Sequence, residues 1–404
     1  MSFRAPFASL ALLAGFFQLS SGISPAQALT PLCNPRVTSP IIVDSHEQII
    51  EAGLRAQPPL TNTGGFGFAW PDTQMEAIKT AGGGYEFFTS DGALHPRQMW
   101  QGHWVGNNKY GSVTTTVGTL DNPLGTGDPQ DASISPNPDP GVDPNYPSYG
   151  YMGGGSVYQV PAGMTGAGNL LLTYHAELPN YALLGLAASK DNGLHWIDLG
   201  EIIRLNQAYM TGLNFAEIGD GRLVLSPDGK YFYLYFPDLP ATTNTTTHVS
   251  VARAPAASLL DAASGSNRPH TIPFEKFYQS NWHLQPAIGG ASTDLSPSWT
   301  PQEGGYLDVH FDSALQRYVM IMDNDTTFYY TESVDGLTWT TPIALGTYAD
   351  GVKTLAPYAS SIGLGDDPGI LGKSFYVYYT YLHEENGGLP REGNSLRRIT
   401  LTCP

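Results

Sequence analysis

Along most of this chain, short apolar stretches alternate with polar turns, and the arrangement recurs. One copy runs through residues 153–160, then Leu170-Leu171-Leu172-Thr173-Tyr174-His175-Ala176-Glu177, then residues 184–189, and turns at Asp191-Asn192-Gly193-Leu194-His195-Trp196. Runs of this length, bounded by Gly, Asp and Ser, predict strands joined by tight turns. A second copy holds residues 231–238 and 248–253, and a third holds 306–311, 318–323 and 328–333. The last holds 374–379 and 396–401, and a less regular first copy includes 66–70 and 85–92. Five units of roughly 70 residues predict an all-β fold, a five-bladed β-propeller with long loops. Their even spread favours a ring over a two-sheet sandwich. Residues 121–150 are rich in Asp, Pro, Gly and Asn and are expected to form a long exposed loop. Only residues 259–263 suggest a turn of helix.

The first 28 residues stand apart. Arg4 is their only charge, an apolar run over residues 10–17 follows, and the stretch ends Ala26-Gln27-Ala28. This is the layout of a secretory signal peptide, too short to span a bilayer. The protein is therefore expected to be secreted, with residues 29–404 forming a single propeller domain.

Gly (46), Pro (32) and Tyr (23) are abundant and charged residues are few (14%), which fits turns and strands rather than helices or disorder. The formal charge of −17 repels phosphate backbones and anionic lipid, so nucleic acid and membranes are excluded as partners. The only cysteines, Cys33 and Cys403, lie at opposite ends of the mature chain. In an exported protein they read as one disulfide, the expected clasp for a closed ring of repeats. Closing so long a loop contributes about 4 to 5 kcal/mol in the chain-entropy model.

Residues 189–196 fit Ser-x-Asp-x-Gly-x-x-Trp, and Ser333-Val334-Asp335-Gly336-Leu337-Thr338-Trp339 is the same turn shortened by one residue. Ser226-Pro227-Asp228-Gly229 and Ser90-Asp91-Gly92 are fragments of it. In such a turn the Asp caps backbone N–H groups, Gly takes positive φ and Trp packs beneath. The motif resembles the Asp box of sialidases and related β-propeller glycoside hydrolases. With five units the chain is more similar to five-bladed members such as glycoside hydrolase family 43 than to six-bladed sialidases. That resemblance implies a structural role for Asp191 and Asp335, on the face opposite the active one. The chain departs from those families in having no signature that fixes catalytic residues and no sialidase arginine triad.

In a propeller, the end of the second strand of a blade and the start of its innermost strand meet the same face. Tyr174, His175, Glu177, Asp238 and Asp323 fall at second-strand ends, and Glu217 and Asp308 at inner-strand starts, with Asp72 after Trp70 as the first-blade equivalent. Cleaving a glycosidic bond needs one carboxylic acid to protonate the leaving oxygen and a second carboxylate to activate water or attack. Glu177, ending an apolar strand, is the expected acid, with Glu217 close behind, and Asp308 is the expected base. Tyr174, His175, Trp70, Asp72, Asp238 and Asp323 are candidate substrate contacts. No His/Cys cluster supports a metal centre and no cofactor is expected, although Asp323-Asn324-Asp325 offers oxygen ligands suited to a structural Ca²⁺. The reading is a monomeric secreted hydrolase acting on a poly- or oligosaccharide. A non-catalytic glycan-binding propeller and a polysaccharide lyase are the alternatives.

Overall fold

The computed structural model describes residues 30–45, 73–89, 98–100, 103–105, 112–123, 125, 130–135, 149, 151–178, 181–206, 217–219, 221–239, 248–264, 272–296, 299, 306–383 and 395–404. They form five four-stranded antiparallel blades around a channel. Blade one is Glu76–Lys79, Tyr85–Thr89, Ser112–Gly118 and Gln130–Ser135. Blade two is Tyr151–Gln159, Leu170–Leu178, Tyr181–Ser189 and Trp196–Ile203. Blade three begins with Glu217–Ile218 and Arg222–Leu225, continues through Tyr231–Leu239 and His248–Pro255, and ends in Glu275–Tyr278 with an added strand Asn281–Pro286. Blade four is Tyr306–Asp312, Arg317–Asp323, Thr327–Ser333 and Ile343–Thr347.

Blade five joins the two ends of the chain. Ser360–Gly363, Ser374–His383 and Ser395–Thr402 supply three strands, and the N-terminal segments Arg36–Val37 and Ile41–Ser45 pair onto Ser395–Thr402 as the fourth. The Cys33–Cys403 disulfide, spanning 370 residues, sits beside that pairing with its Cα atoms 5.4 Å apart. Each inner strand also packs against the next, from blade one through blade five and back to blade one, so the ring is closed at its centre as well.

The apolar positions that define the strands fill the spaces between blades. Trp196, Phe88 and Leu183 are buried in the cluster spanning blades one to three, and Phe328, Phe375 and Tyr379 between blades four and five. One expectation is corrected. Within residues 121–150, Gln130–Ser135 is the outer strand of blade one, paired with Ser112–Thr115 and buried at Ala132 and Ile134. Two apolar residues two apart put their side chains on one face, which is enough to pack an edge strand even in a polar segment. The turn of helix near residue 259 extends to nine residues, Ala256–Ser264, with Leu259 and Ala263 buried against blades two and three. The signal-peptide segment, residues 66–70 and the Ser90-Asp91-Gly92 fragment lie outside the described residues.

Candidate functional site

The two ends of the channel differ in how their acids are held. At one end lie the turns from third to fourth strand. Asp191 Oδ1 accepts from Ser189 Oγ and from His195 N, both at 2.9 Å, and Gly193 has φ 82°. Asp335 Oδ1 accepts from Ser333 Oγ and from the N–H groups of Leu337 and Thr338. Gly336 has φ 74°, and a Cβ there would lie 2.3 Å from the Tyr235 hydroxyl. Trp196 is fully buried, edge-on to Phe88, and Trp339 lies edge-on to Tyr235 of blade three. These acids are bound to the backbone of their own turns.

The opposite end collects the second-strand ends. Glu177 lies across from Tyr151, Asp238 from Ile218 and Asp323 from Tyr306, so second-strand ends and inner-segment starts share one edge in blades two to four. His175 and Glu177 alternate onto the same face of their strand, with His175 Nε2 3.4 Å from Glu177 Oε1. The Glu177 side chain is 38% exposed, while His175 is buried. Asp238 accepts a 2.6 Å bond from Ser292 Oγ. Asp323 is fully buried, accepting from Ala359 N at 2.9 Å and from Asp325 N at 3.2 Å, and so ties blade four to blade five. Asn324 Oδ1 accepts from Thr326 and Thr327, so this stretch acts as a set of turn caps. Tyr174 points into blade two: its ring fills the space left by the missing side chain of Gly185, and its hydroxyl donates to Asp198 at 2.7 Å. Glu217 opens blade three opposite Leu239, but its side chain, like Trp70 and Asp72, lies outside the described residues.

Between the two ends, the channel is filled by charge. Arg222 of blade three places Nη2 2.5 Å from Glu76 Oε1 of blade one and 2.5 Å from Asp308 Oδ1 of blade four. Ser156 of blade two donates to Glu76 at 3.2 Å, and the Ser361 N–H of blade five donates to Asp308 Oδ2. All five inner strands thus meet in one polar network. His310 lies 2.9 Å from Gly369 O through Nδ1 and 3.0 Å from Asp308 Oδ1 through Nε2. Both partners only accept, so both ring nitrogens carry hydrogen and the ring is a cation.

The environments push these groups apart. Burial works to raise the Asp308 carboxyl, but the charges of Arg222 and His310 and the bonds from His310 and Ser361 outweigh it and hold it well below the usual carboxylate range. Burial pushes the Glu76 carboxyl up, with Arg222 and His310 only partly offsetting it. Burial disfavours the His310 cation, yet the Asp308 carboxylate beside it raises the ring above its ordinary value. Asp308 has no exposed surface, and both its oxygens are occupied. A base must reach water or substrate, so this placement makes Asp308 an anchor for Arg222 rather than a group in contact with a glycan.

Sequence reasoning missed Glu76, Arg222 and His310. A signal was available for the last, because Asp308 and His310 are two apart on one strand and so share a face. Nothing marked Arg222, a charge at the head of the apolar stretch Leu223-Val224-Leu225.

No family profile matches the chain, and no curated protein is similar to it in sequence. Among solved structures, the catalytic domain of a family 62 α-L-arabinofuranosidase from Coprinopsis cinerea is 12% identical over 85% of this chain and 94% of its own, with a TM-score of 0.47. A family 117 glycoside hydrolase from the marine bacterium Zobellia galactanivorans is 11% identical over 84% and 88%, with a TM-score of 0.47. An α-L-arabinofuranosidase from Fusarium graminearum, bound to an iminosugar inhibitor, is 9% identical over 91% and 98%, with a TM-score of 0.45. Likeness at this level assigns neither a family nor a substrate to this chain.

Proposed function

We propose that the chain is a secreted glycoside hydrolase that cleaves glycosidic bonds in a poly- or oligosaccharide with two carboxylates, Glu177 and Glu217. The observation that carries this reading is the state of Glu177. It is a half-open carboxyl at a strand end, on the same face as His175. By contrast, Asp308 and Asp323 have no exposed surface, and Asp191 and Asp335 cap their own turns at the opposite end of the channel. As acid, Glu177 gives its proton to the glycosidic oxygen as the C–O bond breaks. Glu217, at the start of the neighbouring blade, takes a proton from the water that adds to the anomeric carbon, or attacks that carbon directly. In this reading His175 orients the Glu177 carboxyl, and Asp238, Trp70 and Asp72 are the sugar contacts that the order of residues along the chain suggests.

The test is release of reducing ends from a glycan panel by the wild type, Glu177→Gln and Glu217→Gln, with folding checked by circular dichroism. Wild-type cleavage is expected, with kcat falling by about 10²- to 10⁴-fold in each variant. An active Glu177→Gln protein would remove Glu177 from the chemistry. Binding without cleavage would make the protein a lectin, and products with an ultraviolet-absorbing unsaturated end would make it a lyase.

A further inference from the structure

At the channel end marked by the Ser-x-Asp turns, the five inner strands part around a cavity of about 510 Å³, to which every blade contributes. That is within the range of small-molecule sites, and the cavity is lined as such sites are, with an apolar wall and a few convergent polar groups. Ile78, Leu223, Leu225 and Phe311 form the wall. Tyr158 stands among them, its ring braced edge-to-face on Phe232 with centroids 4.8 Å apart. Around the rim, the Gln159 side-chain amide has no hydrogen-bond partner among the described residues, and Asp367 is steadied through Oδ1 by Gly369 N.

The charges narrow the ligand. The lining cation Lys79 is bound by Asp366 at 2.6 Å. On the floor, His310 already donates through both nitrogens, and Arg222 behind it is held between Glu76 and Asp308. Every cation is therefore engaged by an acceptor of the protein, and Asp367 adds a further negative charge, so an anion gains nothing here. A sugar ring without a charge fits both surfaces: its C–H face suits Tyr158 and the aliphatic wall, and its hydroxyls suit Gln159 and Asp367. We infer that this cavity is a second carbohydrate site, on the face opposite Glu177, that holds the end of a neutral saccharide chain. The choice of ligand rests on the glycan reading above. The site itself requires no catalysis.

The test uses the full chain carrying Glu177→Gln, so that ligand persists, with xylotriose, arabinotriose, cellotriose and galactotriose as probes and trigalacturonic acid as the anionic control. Amide hydrogen exchange is followed with and without millimolar saccharide. A neutral trisaccharide is expected to slow exchange across residues 366–370. Adding Gln159→Trp, which places a bulky ring in the cavity lining, or Tyr158→Ala should weaken that effect at least tenfold. The inference is overturned if exchange at 366–370 does not respond to any neutral probe, if the response survives both substitutions, or if trigalacturonic acid produces the larger effect. Failure of the hydrolase reading would appear separately, as no reducing ends from the wild type, and leaves this readout intact.

Discussion

In blade four the chain passes from its third strand to its fourth through the turn Ser333 to Trp339, whose Asp335 gathers the backbone N–H groups of Leu337 and Thr338. In blade five the same junction is made by two distant parts of the chain. The third strand ends at Thr402 opposite Arg36, and Cys403 is bonded to Cys33 where the other blades turn. The two junctions touch. Glu332, buried in the third strand of blade four, accepts from Leu32 N and from Cys33 N at 2.8 Å, and Tyr330 donates to the same carboxylate. Blade four therefore uses a local cap worth little entropy, whereas blade five must overcome the loop-closure cost of nearly the whole chain. The lesson is that a ring of repeats needs non-local devices to close, and this chain has three: the disulfide at the rim, the pairing of Arg36–Val37 and Ile41–Ser45 with the last strand, and the Arg222 network at the centre.

The largest effect is expected at the centre. Arg222→Met would leave Glu76 and Asp308 buried without their shared cation, and breaking such a set typically costs about 3–5 kcal/mol. Chemical unfolding should show that loss, with the midpoint falling and the disulfide still formed. A variant as stable as the wild type would mean that the channel charges do not hold the ring, and that the seam alone does.

Replacing both cysteines by serine tests the seam directly. A loss of about 2–5 kcal/mol is expected, because the cross-link restricts the unfolded chain. The folded ring should persist at room temperature, since the inner strands still meet through Arg222 and Arg36–Val37 still pairs with the last strand. Collapse of the fold on reduction would show instead that the central network cannot close the ring unaided.

How much of this could be read in the sequence depends on which way a strand faces. Blade four is legible because Tyr318 to Asp323 and Phe328 to Ser333 put large apolar residues between blades. The cysteine pair is legible because position and number leave one pairing. The inner strands of blades one and five, Glu76–Lys79 and Ser360–Gly363, carry no such apolar pattern. They are four residues long, and their channel-facing positions carry Glu76 and Ser361, so the alternation that marks a strand carries polar residues on a buried face. The same reversal conceals Arg222 and makes Asp308, fully buried in the structure, read in the sequence as an accessible base. Glu177 ends an apolar run, which marks it as a strand end, and its side chain there is 38% exposed.

The smallest effect separates the two junctions by chemistry rather than size. Burial works to raise the Asp335 carboxyl, but the bonds from Thr338, Leu337 and Ser333 outweigh it and lower it from its ordinary value. A group depressed in the folded state contributes stability that is present above its unfolded value, about pH 4 for an aspartate, and is lost as pH falls through the folded value. Asp335→Ala should therefore cost about 1 kcal/mol at neutral pH, since the cap is exposed and screened. The difference between variant and wild type should shrink as the solution is acidified below pH 4, measured by denaturant unfolding at several pH values. The disulfide carries no proton in this range, so the double-serine variant should stay offset from the wild type by a constant amount over the same titration. If the Asp335→Ala difference were also constant with pH, the turn of blade four would be held by Gly336 and Trp339 packing on Tyr235, and its carboxylate would be incidental to the junction.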